Sequence, residues 1–114
     1  MLFNRVAEIL EAEILSCHDK LDREVYNACS SDMMSDVLAF AKDNCLLLTG
    51  LLNQQVIRTA EMKDILCVCF VRDKRPDDAI LELAQEKGII VMRTALLMYE
   101  ASGRLFAGGL SERG

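Results

Sequence analysis

No apolar stretch in these 114 residues approaches the ~18 needed to span a bilayer. Met1-Leu2-Phe3-Asn4-Arg5 opens the chain without a basic segment leading into a long apolar run and a cleavage site, which predicts a cytoplasmic protein. Basic residues are in deficit. Thirteen Lys and Arg against eighteen Asp and Glu leave a net charge of −5, which argues against nonspecific nucleic-acid binding and against docking on anionic membranes. There is one histidine, His18, and no Cys-x-x-Cys, so neither a zinc cluster nor a redox pair at a helix start assembles at short spacing. The Gly-x-x-x-x-Gly-Lys phosphate loop and the Gly-x-Gly-x-x-Gly fingerprint are both missing. Linkers, low-complexity tracts and long repeats are also missing, and the length suits a single domain over residues 1–114.

What is present is a recurrence. Cys45-Leu46-Leu47-Leu48, Ile65-Leu66-Cys67-Val68-Cys69-Phe70-Val71 and Ile89-Ile90-Val91-Met92 are continuous apolar runs, each followed by an amphipathic stretch of about three turns. Runs apolar at every position suit strands buried on both faces. The expected fold is therefore α/β: one three-layer domain with a mostly parallel central sheet flanked by helices, and its strand-to-helix loops gathered on one edge. The five cysteines are odd in number and at least three lie inside apolar runs, so they read as small core hydrophobes kept reduced.

Phe3, Val6, Ala7 and Leu10 predict a short amphipathic helix over 2–10, and Ile14 and Leu15 predict a strand within 11–16. Asp19 to Asp22 has turn chemistry, and Glu24 to Cys29 alternates like a strand. Ser30-Ser31-Asp32 predicts the start of a helix reaching about Lys42, and Asn53 the cap of the next. Pro76 fits the first helical residue of a third crossover helix, with Asp77 and Asp78 at its positive end and Gly88 stopping it. Thr94 predicts the cap of a last helix, and the glycines near the end predict a loose tail from about residue 106.

Polar chemistry concentrates in the loops that follow the strands. Thr49, Gly50 and Asn53, then Arg72, Lys74 and Arg75, then Arg93 and Thr94 are candidate ligand residues, because anions favour the crevice beyond parallel strand ends and free helix N-termini. They could converge on a nucleotide or another phosphorylated metabolite, or they could be solvated surface groups. Asp32 and Asp36, one helical turn apart, could share a magnesium ion, or one could start a helix while the other faces water. Cys67 and Cys69 fall on one face of a strand and read as core. His18 reads as a loop residue. No nucleophile–base pair stands out, and no catalytic residue, metal or cofactor is assigned; a phosphoryl-transfer enzyme is the reading these residues favour least.

Two groups of segments resemble a known family. Leu21-Asp22-Arg23-Glu24-Val25 and Ser31-Asp32-Met33-Met34-Ser35-Asp36-Val37-Leu38-Ala39-Phe40 are similar to the signature of the small DRTGG domain. Leu48-Thr49-Gly50, Gln55-Val56-Ile57-Arg58-Thr59-Ala60, Phe70 to Pro76 and Ala101-Ser102-Gly103-Arg104-Leu105 extend the likeness over about residues 5 to 110. Asp22, Arg23, Ser31, Asp32, Ser35 and Asp36 carry the motif. One departure stands out: where the family pattern has Thr-Gly-Gly, this chain has Tyr26-Asn27-Ala28. The resemblance implies an α/β regulatory or oligomerising module without catalysis, like those joined to CBS domains in some pyrophosphatases and to phosphate acetyltransferases. It also implies a homodimer, and a protein partner in an anaerobic redox or hydrogenase system of bacteria. Met33, Met34, Met62, Met92 and Met98 offer adaptable surface for such a contact.

Overall fold

The apolar runs form the middle of a five-stranded sheet. The computed structural model describes residues 1–110. Strands β1 (Glu13–Ser16), β2 (Ala28–Ser30), β3 (Leu46–Thr49), β4 (Cys67–Phe70) and β5 (Ile90–Arg93) lie in the order β1-β5-β4-β3-β2. The neighbours from β2 to β5 are parallel and β1 is antiparallel to β5. The α/β class and the mostly parallel sheet are as the sequence implies.

Helices α1 (Phe3–Leu10), α2 (Met34–Phe40), α3 (Gln54–Met62), α4 (Asp78–Lys87) and α5 (Met98–Ala107) complete the fold. Successive crossovers from β2 to β5 all step in one direction across the sheet. Right-handed crossovers then put α2, α3 and α4 on one face, and the other face falls to α1 and α5. Strand alternation divides the core accordingly. Leu47, Val68, Phe70 and Val91 pack with Val37, Ile57 and Ile80 of α2–α4. Leu46, Leu48, Cys67, Cys69 and Met92 pack with Phe3, Val6, Leu10 and Leu105 of α1 and α5. Both sulfurs of Cys67-x-Cys69 are therefore core on one face.

Several boundaries differ from expectation, each for a local reason. The strand expected over Glu24–Cys29 shrinks to Ala28–Ser30, because residues 23–25 bond to the chain start: Phe3 N–H donates to Arg23 O and Val25 N–H to Met1 O. Helix α2 begins two residues after Asp32 and ends at Phe40, where Ala41 turns extended. Asp77, not Pro76, borders α4, its Oδ1 accepting from Ile80 N–H at 2.9 Å. Gly88 stops that helix as expected, at φ 71°. The last helix starts at Met98, not after Thr94. Order also persists past residue 106. Phe106 and Ala107 are helical and buried Leu110 donates its N–H to Leu105 O at 2.9 Å, while 111–114 lie outside the described residues. Among the described residues no helix is long and apolar enough to cross a membrane.

Candidate functional site

The parallel strands point their carboxyl ends at one edge, where the loops after β2, β3, β4 and β5 meet. Asp32 ties three of them together. Its Oδ1 accepts from Gly50 N–H at 2.7 Å and from Thr49 Oγ1 at 3.1 Å, and its Oδ2 from Arg72 Nη2 at 3.2 Å. Partial burial alone would raise this carboxyl's pKa. The Gly50 N–H, then the Arg72 guanidinium and the Thr49 hydroxyl, outweigh that effect and hold it below the ordinary carboxylate value. Asp32 thus neither starts α2 nor shares a helix face with Asp36, and the magnesium pairing considered for them loses its geometry. Asp36 instead lies on the Cys29 side of α2, where its charge joins burial in raising that thiol's pKa.

The other half of this edge is a second ion-pair cluster. Glu13 Oε1 accepts from Arg75 Nη2 and Arg93 Nη1, both at 3.2 Å, and Arg93 Nη2 donates to Asp73. Arg72 and Asp73 hold consecutive left-handed conformations, at φ 61° and 58°, a strained state for residues with a Cβ. Their N–H groups donate to Leu96 O at 2.8 Å and Thr94 O at 2.9 Å, which closes the gap between β4 and β5 where helices leave on opposite faces. Thr94 is buried; its hydroxyl donates to Leu10 O at 2.6 Å and accepts from Leu96 N–H at 3.2 Å. Asn53 caps α3 as expected, accepting from Val56 N–H at 3.2 Å.

The residues named from sequence therefore share one edge, but mostly as partners of carboxylates and backbone. Thr49, Gly50 and Thr94 are buried and engaged. Arg72, Arg75 and Arg93 are each paired with a carboxylate, and Lys74 is exposed. Glu13 and Asp73 were missed, because acidic neighbours brought in by β1 and by a turn leave no periodic trace. The signature residues are divided between the two edges. Ser31, Asp32, Ser35 and Asp36 lie at or just after the carboxyl ends, Ser31 turning the loop by accepting from Met33 N–H at 3.0 Å. Asp22 and Arg23 lie beyond the opposite, amino ends.

That amino edge holds hollows of its own. A cleft of ≈ 480 Å³ is lined by Glu24, Tyr26, Asn27, Asp43, Asn44 and Leu66, along with Lys42. A smaller groove of ≈ 230 Å³ shares Asn44 and Leu66 with it and reaches Arg23 and Lys87. Tyr26 and Asn27, the departure from the family pattern, are thus cleft residues.

The profile of the DRTGG domain family matches residues 5–107. No curated protein matches the chain. Among solved structures, the chain is similar to the CBS and DRTGG domains of the regulatory region of Clostridium perfringens pyrophosphatase, crystallised with its activator diadenosine tetraphosphate. The TM-score is 0.76 at 17% identity, over 91% of this chain and 45% of that one. A likeness at that identity speaks to fold, and the chain spans less than half of the neighbour.

Proposed function

The chain belongs to the DRTGG domain family, and we propose that it is a cytoplasmic regulatory domain of which two copies meet along β2. The carrying observation is the edge itself. Asn27 O accepts from Leu46 N–H and Ser31 N–H donates to Leu48 O, so by strand alternation Ala28 and Ser30 turn their backbone groups outward. Among the described residues no strand pairs with this edge, and an edge of this kind invites pairing.

Two apolar stripes flank it. On α5, Tyr99, Ser102 and Phe106 follow helical spacing, and Ser102 Oγ lies 2.7 Å from Ser30 Oγ. On the other side, Met33 just before α2, then Asp36 and Phe40 on the helix, line up with Asp36 facing Cys29. Met33, Phe40, Tyr99 and Phe106 are 59%, 78%, 89% and 67% exposed. Exposed apolar side chains on both sides of one strand edge are what a contact along that edge would cover, and a two-fold contact would make the surface self-complementary. Aromatic residues, more than the methionines noted above, supply this surface; Met92 is buried. All five cysteines are free, which suits a reducing compartment. Light scattering after size exclusion should give a dimer whose melting temperature rises with protein concentration, and Tyr99→Glu with Phe106→Glu a folded monomer whose melting temperature does not depend on concentration. A monomeric parent at micromolar concentration would remove this contact.

A second reading, a nucleotide or phosphorylated metabolite held at the carboxyl edge, draws support from Arg93. Its Nε is buried without a hydrogen-bond partner among the described residues, and the related pyrophosphatase region was crystallised with a dinucleotide. A phosphate there would have to displace Asp32, Glu13 or Asp73 from the guanidinium groups.

A further inference from the structure

We propose that the cleft at the amino edge binds an uncharged, planar nitrogen heterocycle of the nucleobase class. Its volume, ≈ 480 Å³, falls within the roughly 300–1,000 Å³ of small-molecule sites. Leu66, just before β4, is partly exposed there although it packs against the core, so it gives the lining an apolar side chain. Tyr26 stands beside it with 57% of its surface free. An exposed phenol ring is a stacking surface for any flat π-system.

Two carboxamides complete the cleft. Asn27 and Asn44 each carry a donor and an acceptor side by side, the pattern that reads the edge of a heterocycle. Neither side chain has a hydrogen-bond partner among the described residues. Asn44 is held in place by its backbone: it is left-handed, at φ 62°, and its N–H donates to Asp64 O at 2.9 Å. The charges decide what else the ligand can carry. Glu24 and Asp43 outnumber Lys42 in the lining, and Glu24 Oε2 already faces the chain's ammonium group at 3.6 Å. With Lys42 and that ammonium group balancing Glu24 and Asp43, a phosphate would meet no net positive charge here, whereas at the carboxyl edge it would meet arginines. The cleft thus suits a base or nucleoside. Its Tyr26-Asn27 wall adjoins the β2 contact proposed above, and it lies at the opposite edge from the carboxyl-edge reading.

The test is a titration of the intact ¹⁵N-labelled chain with adenosine, with adenosine monophosphate and with inorganic phosphate. Adenosine should move the amides of Asn27, Asn44 and Leu66 saturably, and the monophosphate should bind no more tightly. Tyr26→Ala and Asn44→Gly, the latter keeping the left-handed backbone, should each weaken binding about tenfold, while Arg72→Ala leaves it unchanged. Loss of binding accompanied by a lower melting temperature would be checked with Tyr26→Phe, which keeps the ring and should bind. The proposal is overturned if millimolar adenosine, guanosine, cytidine and uridine leave these amides still. It also fails if the monophosphate binds about tenfold tighter through shifts at Gly50 and Arg72, which would favour the carboxyl-edge reading. Shifts of the cleft amides that follow protein concentration alone would mark a contact between copies instead.

Discussion

Asp32 and Gly50 depend on each other. The Gly50 N–H is the shortest donor to the carboxylate, and a Cβ at position 50 would run into the Arg72 guanidinium that bonds its other oxygen. Glycine leaves room for that guanidinium beside Asp32; a side chain there would push the arginine aside and cost the ion pair, not the backbone. Because the folded carboxyl has a depressed pKa, its contribution is present above the unfolded value of about 4 and disappears as pH falls through the lower folded value. Asp32→Asn should therefore destabilise by about 1 kcal/mol at pH 7, modest because the side chain is partly solvated. The gap to the parent should close in thermal melts near pH 2. An equal gap at both pH values would show that shape, not charge, holds these loops.

Helix α1 is kept on the sheet by more than its apolar stripe of Phe3, Val6 and Leu10. Thr94, just after β5, donates its hydroxyl to the carbonyl of Leu10 in the last turn of the helix. That carbonyl would otherwise be a buried acceptor without a partner. Thr94→Val keeps the shape and removes the donor, at an expected cost of about 1–3 kcal/mol in urea unfolding. Hydrogen exchange should show α1 amides losing protection before those of β3 and β4, and Thr94→Ser should recover most of the loss. If Thr94→Val melts like the parent, the hydroxyl is dispensable and packing alone docks the helix.

Across the whole molecule the five thiols report on the core. Burial raises Cys45 to about 11 and Cys69 to about 12, and pushes Cys67 well up. These groups stay protonated and unreactive in the fold, since the thiolate is the nucleophile. As pH rises past the unfolded thiol value of about 8.5, the unfolded chain ionises and the fold does not, so stability falls. In native protein at pH 8, iodoacetamide should modify Cys29, the half-buried thiol on β2, ahead of all others. The remaining four should react only on unfolding. Fast labelling of Cys67 or Cys69 without denaturant would mean the sheet opens far more readily than its packing implies.

Periodicity made most of the fold readable. Three runs apolar at every position required strands covered on both sides, and Asn53 and Gly88 announced helix ends through chemistry confined to one turn. The paired Cys67 and Cys69 likewise followed from strand alternation. Less was readable at the site. That Thr49, Arg72 and Arg93 share an edge follows from parallel strands, but that Asp32, Glu13 and Asp73 occupy their donors does not. Those pairings join residues up to 80 positions apart, and only the order of strands brings them within 3.2 Å. The cleft at the opposite edge was invisible for the same reason: its walls come from loops before β2, β3 and β4. Local hydrophobic pattern determined the layers of this protein. Tertiary structure alone decided which charges are already paired and which polar groups remain open to a ligand, because pairing and exposure depend on distances that sequence spacing does not encode.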